Sequence, residues 1–269
     1  MPNKKISVLF ASAELAPLAK VGGLADVAGA LPPELKKLGV DIRIIIPKYG
    51  SIDEKKYRLK KIVSGVAVKF QKSSHKINLY QAVLPGSSTI VYLIENKHFL
   101  GHGGVYLTAD ASSRGTKCEF ERFGFFSLAV LDIIKNFSWQ PRIIHCNDWH
   151  VGLIPRLIKS RNLKLKSLTT IHNLAYQGWY IKEFVAQALG LNLNLFQPVK
   201  KCIVSLREAI LASDLLNTVS PNYAKEILTK EFGCGLEGDL VKRKNYLSGI
   251  LNGIDTKIFN PATDKYIRS

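Results

Sequence analysis

The sequence predicts an α/β fold in which a doubly wound, mostly parallel sheet carries an antiparallel insertion. Two patterns predict it. Short apolar runs alternate with longer segments of helical periodicity, which is the order of parallel β-α-β units. In one region, three strand-like runs follow one another with only turn residues between them, as is typical of antiparallel strands. With 269 residues, the chain is long enough to bury a core without disulfides.

The first β-α-β unit lies near the start of the chain. Residues 6–10 are mostly apolar and predict a buried strand, and residues 41–47 predict a second one. Between them, residues 23–38 place apolar side chains at helical spacing, which predicts a helix. Pro32 and Pro33 fall inside this helix, so we expect a kink or a restart there.

The remaining segments continue the alternation, with one change of pattern. Residues 62–70, 77–84 and 89–94 predict an antiparallel meander, and residues 101–114, rich in Gly and Ser, predict a loop. Regular structure is expected to end after residue 250. The other predicted elements are a helix at 120–137, a strand at 142–146, a helix at 149–159, a strand at 168–171, helices at 183–189 and 204–212, a strand at 215–219 and a helix at 222–232.

The chain is strongly basic. It has 38 Lys and Arg against 21 Asp and Glu, for a formal net charge of +17. The basic residues are scattered and form no run of about five or six like charges, so we interpret most of them as solvated surface and expect no nucleic-acid partner. No window reaches the roughly 18 uncharged apolar residues that a membrane span needs, so we expect no membrane partner.

The four cysteines lie far apart and show no metal-ligand spacing. So few cysteines are too sparse for a disulfide scaffold, which favours a reducing, cytoplasmic location. Neither a Gly-x-Ser-x-Gly elbow nor a His-Glu-x-x-His motif is present, which disfavours α/β-hydrolases and zincin-type metalloproteases.

In a doubly wound sheet, ligands bind beyond the carboxyl ends of the strands. After the first predicted strand, Gly22 and Gly23 open a helix, where their backbone N–H groups can approach an anion, with Lys20 beside them. The spacing matches neither the dinucleotide fingerprint nor a P-loop. A tight strand-to-helix turn is the other interpretation of the glycine pair.

Two later strands are followed by carboxylate, amide and aromatic side chains. Asp148 and Trp149 follow one strand, and His172 and Asn173 follow the next. Such groups together are suited to binding sugars, and we expect Asp148 and His172 to face one cleft with the glycine pair. The alternatives are a structural histidine at position 172 and core packing of Trp149. His145 lies within its strand and is expected to pack in the core.

These pieces, in this order, resemble the bacterial glycogen synthases and plant starch synthases, which are retaining α-1,4-glucosyltransferases that use nucleotide-activated glucose. The resemblance covers residues 5 to about 262. Its motifs are K-V-G-G-L-A-D-V from Lys20, H-C-N-D-W-H from His145, H-N-L-A-Y-Q-G from His172, V-S-P from Val219, G-C-G-L-E-G from Gly233 and L-N-G-I-D from Leu251.

The resemblance implies the N-terminal, acceptor-side half of a GT-B fold. Residues 1–250 would form one Rossmann-like domain, and residues 251–269 would begin an interdomain hinge. A second Rossmann-like domain, which in this family supplies most of the nucleotide pocket, would be absent from this chain. We therefore expect the 269 residues alone to lack synthase activity and to need that C-terminal domain in cis.

The implied reaction transfers glucose from ADP-glucose to the non-reducing end of an α-1,4-glucan such as glycogen or starch, with retention and without a metal or another cofactor. Asp148 and His172 would be catalytic. The donor-binding residues would be Lys20, Gly22, Gly23, His172 and Asn252. The acceptor-binding residues would be Glu14, Asp26, Tyr106, Asp148, Trp149 and Asn173.

One local departure and one alternative stay open. Cys118 and Glu119 stand where the family often has Asp-Asn, close to the loop that carries Tyr106. The alternative function is a free-standing module that binds a glucan or a polyanion without catalysis. Modules that bind nucleic acid place Lys and aromatic residues on one face, whereas here the aromatic residues follow strand ends with carboxylates beside them.

Overall fold

The structure, a computed structural model, describes residues 5–107, 113–254, 260–263 and 267, with the backbone alone for residues 113–116. Its strands are β1 (Ser7–Ala11), β2 (Asp41–Pro47), β3 (Lys60–Phe70), β4 (Ser73–Val83), β5 (Ile90–Glu95), β6 (Ile143–Asn147), β7 (Lys166–Ile171), β8 (Trp179–Ile181), β9 (Cys202–Val204), β10 (Leu215–Thr218) and β11 (Leu247–Gly249). Its α-helices are α1 (Gly23–Lys37), α2 (Ser113–Ile134), α3 (Ile154–Ser160), α4 (Lys182–Leu189), α5 (Ser205–Ala212), α6 (Pro221–Glu226) and α7 (Glu237–Lys242).

One nine-stranded sheet forms the framework, in the order β11-β10-β7-β6-β1-β2-β5-β4-β3. Strands β11 to β5 in this order pair in parallel, and β4 and β3 continue the sheet antiparallel. The predicted doubly wound sheet is therefore confirmed. The antiparallel meander extends the main sheet, because β5 pairs with β2 on one side and with β4 on the other. Strands β8 and β9 form a separate antiparallel pair.

Helices cover both faces of the sheet, because successive side chains of each buried strand point to opposite faces. Leu9 of β1 lies in one hydrophobic cluster with Phe126 of α2 and Leu157 of α3. The neighbouring Phe10 lies in a second cluster with Ala28 of α1. All five side chains are fully buried, and each large one stabilises the fold by about 1.5–3 kcal/mol.

Several predicted boundaries need correction. Helix α1 runs without a break through Pro32 and Pro33, and Pro32 is buried, so tertiary packing overrides the local effect of proline there. The predicted helix at 149–159 is a 3-10 turn, Trp149–Val151, followed by α3. Helix α2 begins earlier than expected, at Ser113, and α6 ends earlier, at Glu226. The elements β8, β9, α7 and β11 were not predicted.

The end of the described chain agrees with the expected loss of regular structure. Strand β11 ends at Gly249, and residues 250–254 have no regular secondary structure. Asp255, the last residue of the predicted hinge motif, lies outside the described residues. The assignment of residues 251–269 to a hinge stays a prediction. Within the part of the chain that is described, no helix has both the length and the apolar character needed to cross a bilayer.

Candidate active site

The candidate residues meet where the sheet changes direction. From β1 the chain adds β2 and β5 on one side of the sheet, and it later returns to add β6 and β7 on the other side. The switch point therefore lies between β1 and β6, where doubly wound sheets bind ligands at the carboxyl edge. Gly23, Asp148 and His172 follow β1, β6 and β7, so the three predicted residues lie at this one edge.

The buried side chain of Glu14 holds the glycine-rich loop, residues 20–23, in place. The side chain of Glu14 is nearly inaccessible, at 2% exposure. Its Oε2 accepts hydrogen bonds from the backbone N–H of Val21 at 2.8 Å and of Gly22 at 2.7 Å. Its Oε1 accepts the hydroxyl hydrogen of the half-buried Tyr106. Burial, reinforced by this hydrogen bond to Glu14, raises the pKa of Tyr106 above its ordinary value.

The backbone amides of Gly22 and Gly23 are thus in different situations. The prediction that both amides face an anionic ligand needs correction at Gly22, because the Gly22 amide donates to Glu14. Gly23 begins α1, its amide has no partner among the described residues, and a Cβ there would meet open space. The positive end of the dipole of this 15-residue helix therefore faces outward at Gly23.

Two residues predicted for opposite sides of the site bind each other. The Nζ of Lys20 lies 2.6 Å from Oδ1 of Asp26, and the two side chains are 52% and 47% exposed. Such an exposed pair contributes about 0–1 kcal/mol. Asp26 therefore holds Lys20 only weakly.

Asp148 combines a strained backbone with a buried carboxyl group. Its φ of 63° and ψ of −175° fall in a region that only glycine adopts readily, at a cost of about 1–3 kcal/mol. Strand β7 and the residue after it hold Asp148 at both ends: its N–H donates to Thr170 O at 3.0 Å, and its Oδ1 accepts the His172 N–H at 3.2 Å. Burial raises the pKa of Asp148 to about 7; the N–H groups of His172 and Asn173 oppose this shift, and the charge of Glu14 adds to it.

His172 is a neutral, partly buried imidazole. Burial lowers its pKa to about 4, so the ring carries no charge near pH 7. Its Nε2 lies 3.1 Å from Oδ1 of Asn147. The neutral ring can therefore accept a hydrogen bond from a neutral group or donate one to it.

The two remaining predicted polar residues lie at the same edge, in exposed positions. Asn173 follows His172, and its Oδ1 accepts the Ala175 N–H at 2.7 Å, which closes a local turn. Asn252 follows β11 and is exposed. The network formed by Glu14, Tyr106, Asp148 and His172 is thus more fully ordered than the positions of these two asparagines.

Trp149 does not present an aromatic surface to solvent. Its side chain is 6% exposed and packs edge-on against Phe123, with ring centroids 5.3 Å apart. It also stacks on His150 at 3.9 Å. The prediction that Trp149 lines the acceptor side needs correction, because the structure places the indole in the core below the site. His145 is also buried, as predicted.

The sequence analysis missed His150, although it belongs to the same motif as Asp148. The ring is 3% exposed, and neither nitrogen has a hydrogen-bond partner among the described residues. It lies 5.3 Å from the ring of Tyr106. Burial lowers the pKa of His150 to about 3, so it is neutral. The sequence signal that could have identified His150 was its place directly after Asp148 and Trp149.

Arg122 was also missed, and it orders the loop that carries Tyr106. Its side chain is fully buried. The guanidinium donates to the backbone oxygens of His102, Gly104 and Val105, with a longer contact of 3.4 Å to Phe99 O. An arginine inside an apolar helix was the available signal, because a buried guanidinium needs several acceptors.

Comparisons with known proteins identify the family of this chain. The family model for the starch synthase catalytic domain matches residues 7–242. The glycogen synthase of Thermotoga petrophila is 40% identical over 276 residues, and that of Geotalea daltonii is 41% identical over 278 residues. Each alignment covers 97% of this chain and 55% of the relative. The chain thus spans about half the length of the curated relatives it matches.

A solved structure extends the match to the fold. The catalytic domain of starch synthase IV from Arabidopsis thaliana, bound to ADP and acarbose, superposes with a TM-score of 0.86 at 31% identity. The match covers 99% of this chain and 55% of that one, and it confirms the predicted GT-B fold. The family match and the relatives at about 40% identity show that this chain belongs to the starch synthase catalytic domain family, the glycogen and starch synthases.

Proposed function

We propose that this chain supplies the acceptor-side half of a glycosyltransferase that moves glucose from ADP-glucose to the non-reducing end of an α-1,4-glucan, with retention. The observation that carries the proposal is the network at the switch point. Glu14 ties the glycine-rich loop to Tyr106, and Asp148 is tied to His172 beside them. The Arabidopsis relative bound to ADP and acarbose supports a nucleotide donor and a sugar-like acceptor.

The donor diphosphate would lie at the start of α1. The free Gly23 amide and the helix dipole favour an anion there. Lys20 would exchange Asp26 for the diphosphate, leaving the Asp26 carboxylate to accept a hydroxyl of the glucan. Developing negative charge on the leaving group would then meet one fixed amide and one mobile ammonium from this chain.

The sugars would lie over β6 and β7. The 4-hydroxyl oxygen of the acceptor would bond to the anomeric carbon of glucose as the bond to the diphosphate breaks, and the hydroxyl proton would leave with ADP. His172 and Asn252 would contact the donor glucose, and Asp148, Glu14 and Asn173 would orient the acceptor. Tyr106 would complete the acceptor side through Glu14, with Trp149 packed beneath as support.

The test adds the remaining length of a relative to this chain. Residues 1–254 would be fused to the part of the Thermotoga petrophila glycogen synthase that begins at the position aligned with residue 255, and glucose transfer from ADP-glucose to glycogen would be assayed. We expect transfer, and we expect Lys20→Ala to reduce it by about 100-fold, because one group that stabilises developing charge is worth that much.

Helix α1 offers a matched control. Lys37 and Glu34 form an exposed pair with the same 2.6 Å separation as Lys20 and Asp26, but at the far end of the helix. Lys37→Ala should leave transfer within about twofold. Equal losses in the two variants would contradict the assigned role of Lys20. A folded chimera that binds glucan and transfers no glucose would instead support the binding-module alternative.

A further inference from the structure

The side-chain amide of Asn147 has only one satisfactory orientation. Asn147 ends β6, and it is 1% exposed. Its Nδ2 donates to Ala11 O at 3.1 Å and to His145 O at 3.2 Å. Backbone oxygens only accept hydrogen bonds, so the NH₂ group must face them. The reverse orientation would lose both bonds and bring three oxygens together, so Oδ1 points the other way.

That orientation decides which nitrogen of His172 carries the proton. Oδ1 of Asn147 lies 3.1 Å from Nε2 of His172. An amide oxygen only accepts, so Nε2–H is the donor. The ring is neutral near pH 7 because burial lowers its pKa, so Nδ1 keeps a free lone pair. Within the described part of the chain, Nδ1 has no hydrogen-bond partner.

We propose that Asn147 is a positioning residue that locks His172 in the Nε2–H tautomer and thereby presents Nδ1 to the site as an acceptor for a sugar hydroxyl. The tautomer follows from contacts within this chain. The sugar hydroxyl rests on the proposed function. In this arrangement His172 receives a hydrogen bond from the sugar through Nδ1 and orients it, and it has no proton to give at that atom.

His145 provides an internal reference. Its Nε2 lies 2.6 Å from Oγ1 of Thr170, and that hydroxyl gives its own hydrogen to Oδ1 of Asn217. His145 is therefore also an Nε2–H donor, but its tautomer is set by Thr170 and Asn217, not by Asn147. One spectrum can thus report a histidine that depends on Asn147 and another that does not.

The tautomer can be read directly in the 269-residue chain. With ¹⁵N-labelled histidine, long-range ¹H–¹⁵N correlations at pH 7 distinguish a protonated from an unprotonated ring nitrogen. The signals of His172 would be assigned by their loss in His172→Gln. We expect a protonated Nε2 and an unprotonated Nδ1. A protonated Nδ1 or a tautomer mixture in the unmutated chain would overturn the proposal, whether or not any variant folds.

Three variants separate positioning from general structure. Asn147→Ala should turn the His172 spectrum into a tautomer mixture. Asn147→Asp should keep the Nε2–H form, because burial beside two backbone oxygens favours the protonated acid, which donates through one oxygen and accepts from Nε2–H through the other. The control Asn217→Ala should leave His172 unchanged. A His172 that stays Nε2–H in Asn147→Ala would show that Asn147 is not what fixes the tautomer.

The proposed role of His172 Nδ1 toward the sugar is tested separately in the chimera. Asn147→Ala should lower kcat/KM for ADP-glucose at least tenfold, while the Asn217→Ala control stays within about threefold. Equal effects of the two variants, with the tautomer confirmed, would overturn the role of Nδ1 toward the sugar. If the unmutated chimera transfers no glucose, the proposed function fails, and the spectrum still decides the tautomer.

Discussion

At the scale of single residues, Asp148 combines two features that each cost free energy. Its backbone is strained and its carboxyl group is buried, at 7% exposure, yet β7 and His172 hold it in place. Strain of this kind persists where the surrounding structure over-determines a residue, and it clusters at functional sites. This observation, made only from the structure, supports the assignment of Asp148 to the site.

The carboxyl group of Asp148 should make stability depend on pH. Its folded pKa of about 7 lies above the ordinary 3.8, so the folded chain keeps a proton that the unfolded chain releases. This contribution is fully present below about pH 4 and is lost as the pH rises to about 7. Asn at position 148 stays neutral at every pH. The free energy of unfolding of Asp148→Asn should therefore rise relative to that of the unmutated chain by up to roughly 4 kcal/mol across this range.

Urea unfolding at several pH values between 4 and 8 measures this gain. Glu34→Gln provides the control, because Glu34 is an exposed acid paired with Lys37 far from the site, and the same replacement there should change the free energy of unfolding by less than about 1 kcal/mol. If the free energies of unfolding of Asp148→Asn and the unmutated chain run parallel over the whole pH range, the carboxyl group of Asp148 does not hold its proton in the folded state.

At the scale of elements, Arg122 of α2 controls the loop that follows β5. Replacing it with Met would leave several buried loop oxygens without donors. We expect Arg122→Met to lower the free energy of unfolding by about 3 kcal/mol or more. Arg122→Lys should cost less, because an ammonium keeps the charge but reaches fewer acceptors. Hydrogen exchange should rise at residues 99–106, where Tyr106 meets Glu14.

A second arginine makes the comparison specific. Arg161 follows α3 directly and is partly exposed. Its Nη1 lies 2.8 Å from Oδ1 of Asp132. Arg161→Met should cost less than about 1 kcal/mol and leave exchange in the 99–106 loop unchanged. An Arg122→Met chain as stable as the Arg161→Met chain would mean that the loop is ordered by other contacts.

The long elements were predictable because their patterns are local. Strand β2 coincides with the predicted residues 41–47, and the apolar periodicity of α1 was clear in spite of Pro32 and Pro33. The strands β8, β9 and β11 have three residues each, which is too short for a periodic signal. Residues 227–232 look helical by composition, but the structure ends α6 at Glu226.

The convergence of the candidate residues at one edge of the sheet was predictable from the sequence, and their contacts were less so. The rule that ligands bind at the carboxyl edge identified Gly23, Asp148 and His172 from sequence order alone. The engagement of the Gly22 amide by Glu14, the burial of Trp149 and the role of Asn147 depend on which loops meet across the sheet. No periodicity encodes such contacts, because they join residues far apart in the chain.

At the scale of the whole molecule, the charge at the site is opposite to the charge of the chain. The formal net charge is +17, whereas the described network contains the carboxyl groups of Glu14 and Asp26, the carboxyl group of Asp148, whose neutral form burial favours, and the cation Lys20. The basic excess therefore lies elsewhere on the surface. This distribution disfavours a polyanion at the site, and it leaves a diphosphate there short of counter-charge.

The last prediction follows from that shortage. The 269-residue chain alone should transfer glucose from ADP-glucose to glycogen at least about 100-fold more slowly than the chimera, because among the described residues the proposed function places Lys20 and the Gly23 amide alone at the leaving diphosphate. Lys20 must first leave Asp26. The measurement compares labelled glucose incorporated into glycogen by the two proteins at equal concentration. As a control, the Thermotoga petrophila segment would be expressed separately and added to the chain, to show that the chain can take part in transfer. Turnover by the chain alone within tenfold of the chimera would show that its own residues neutralise the leaving group.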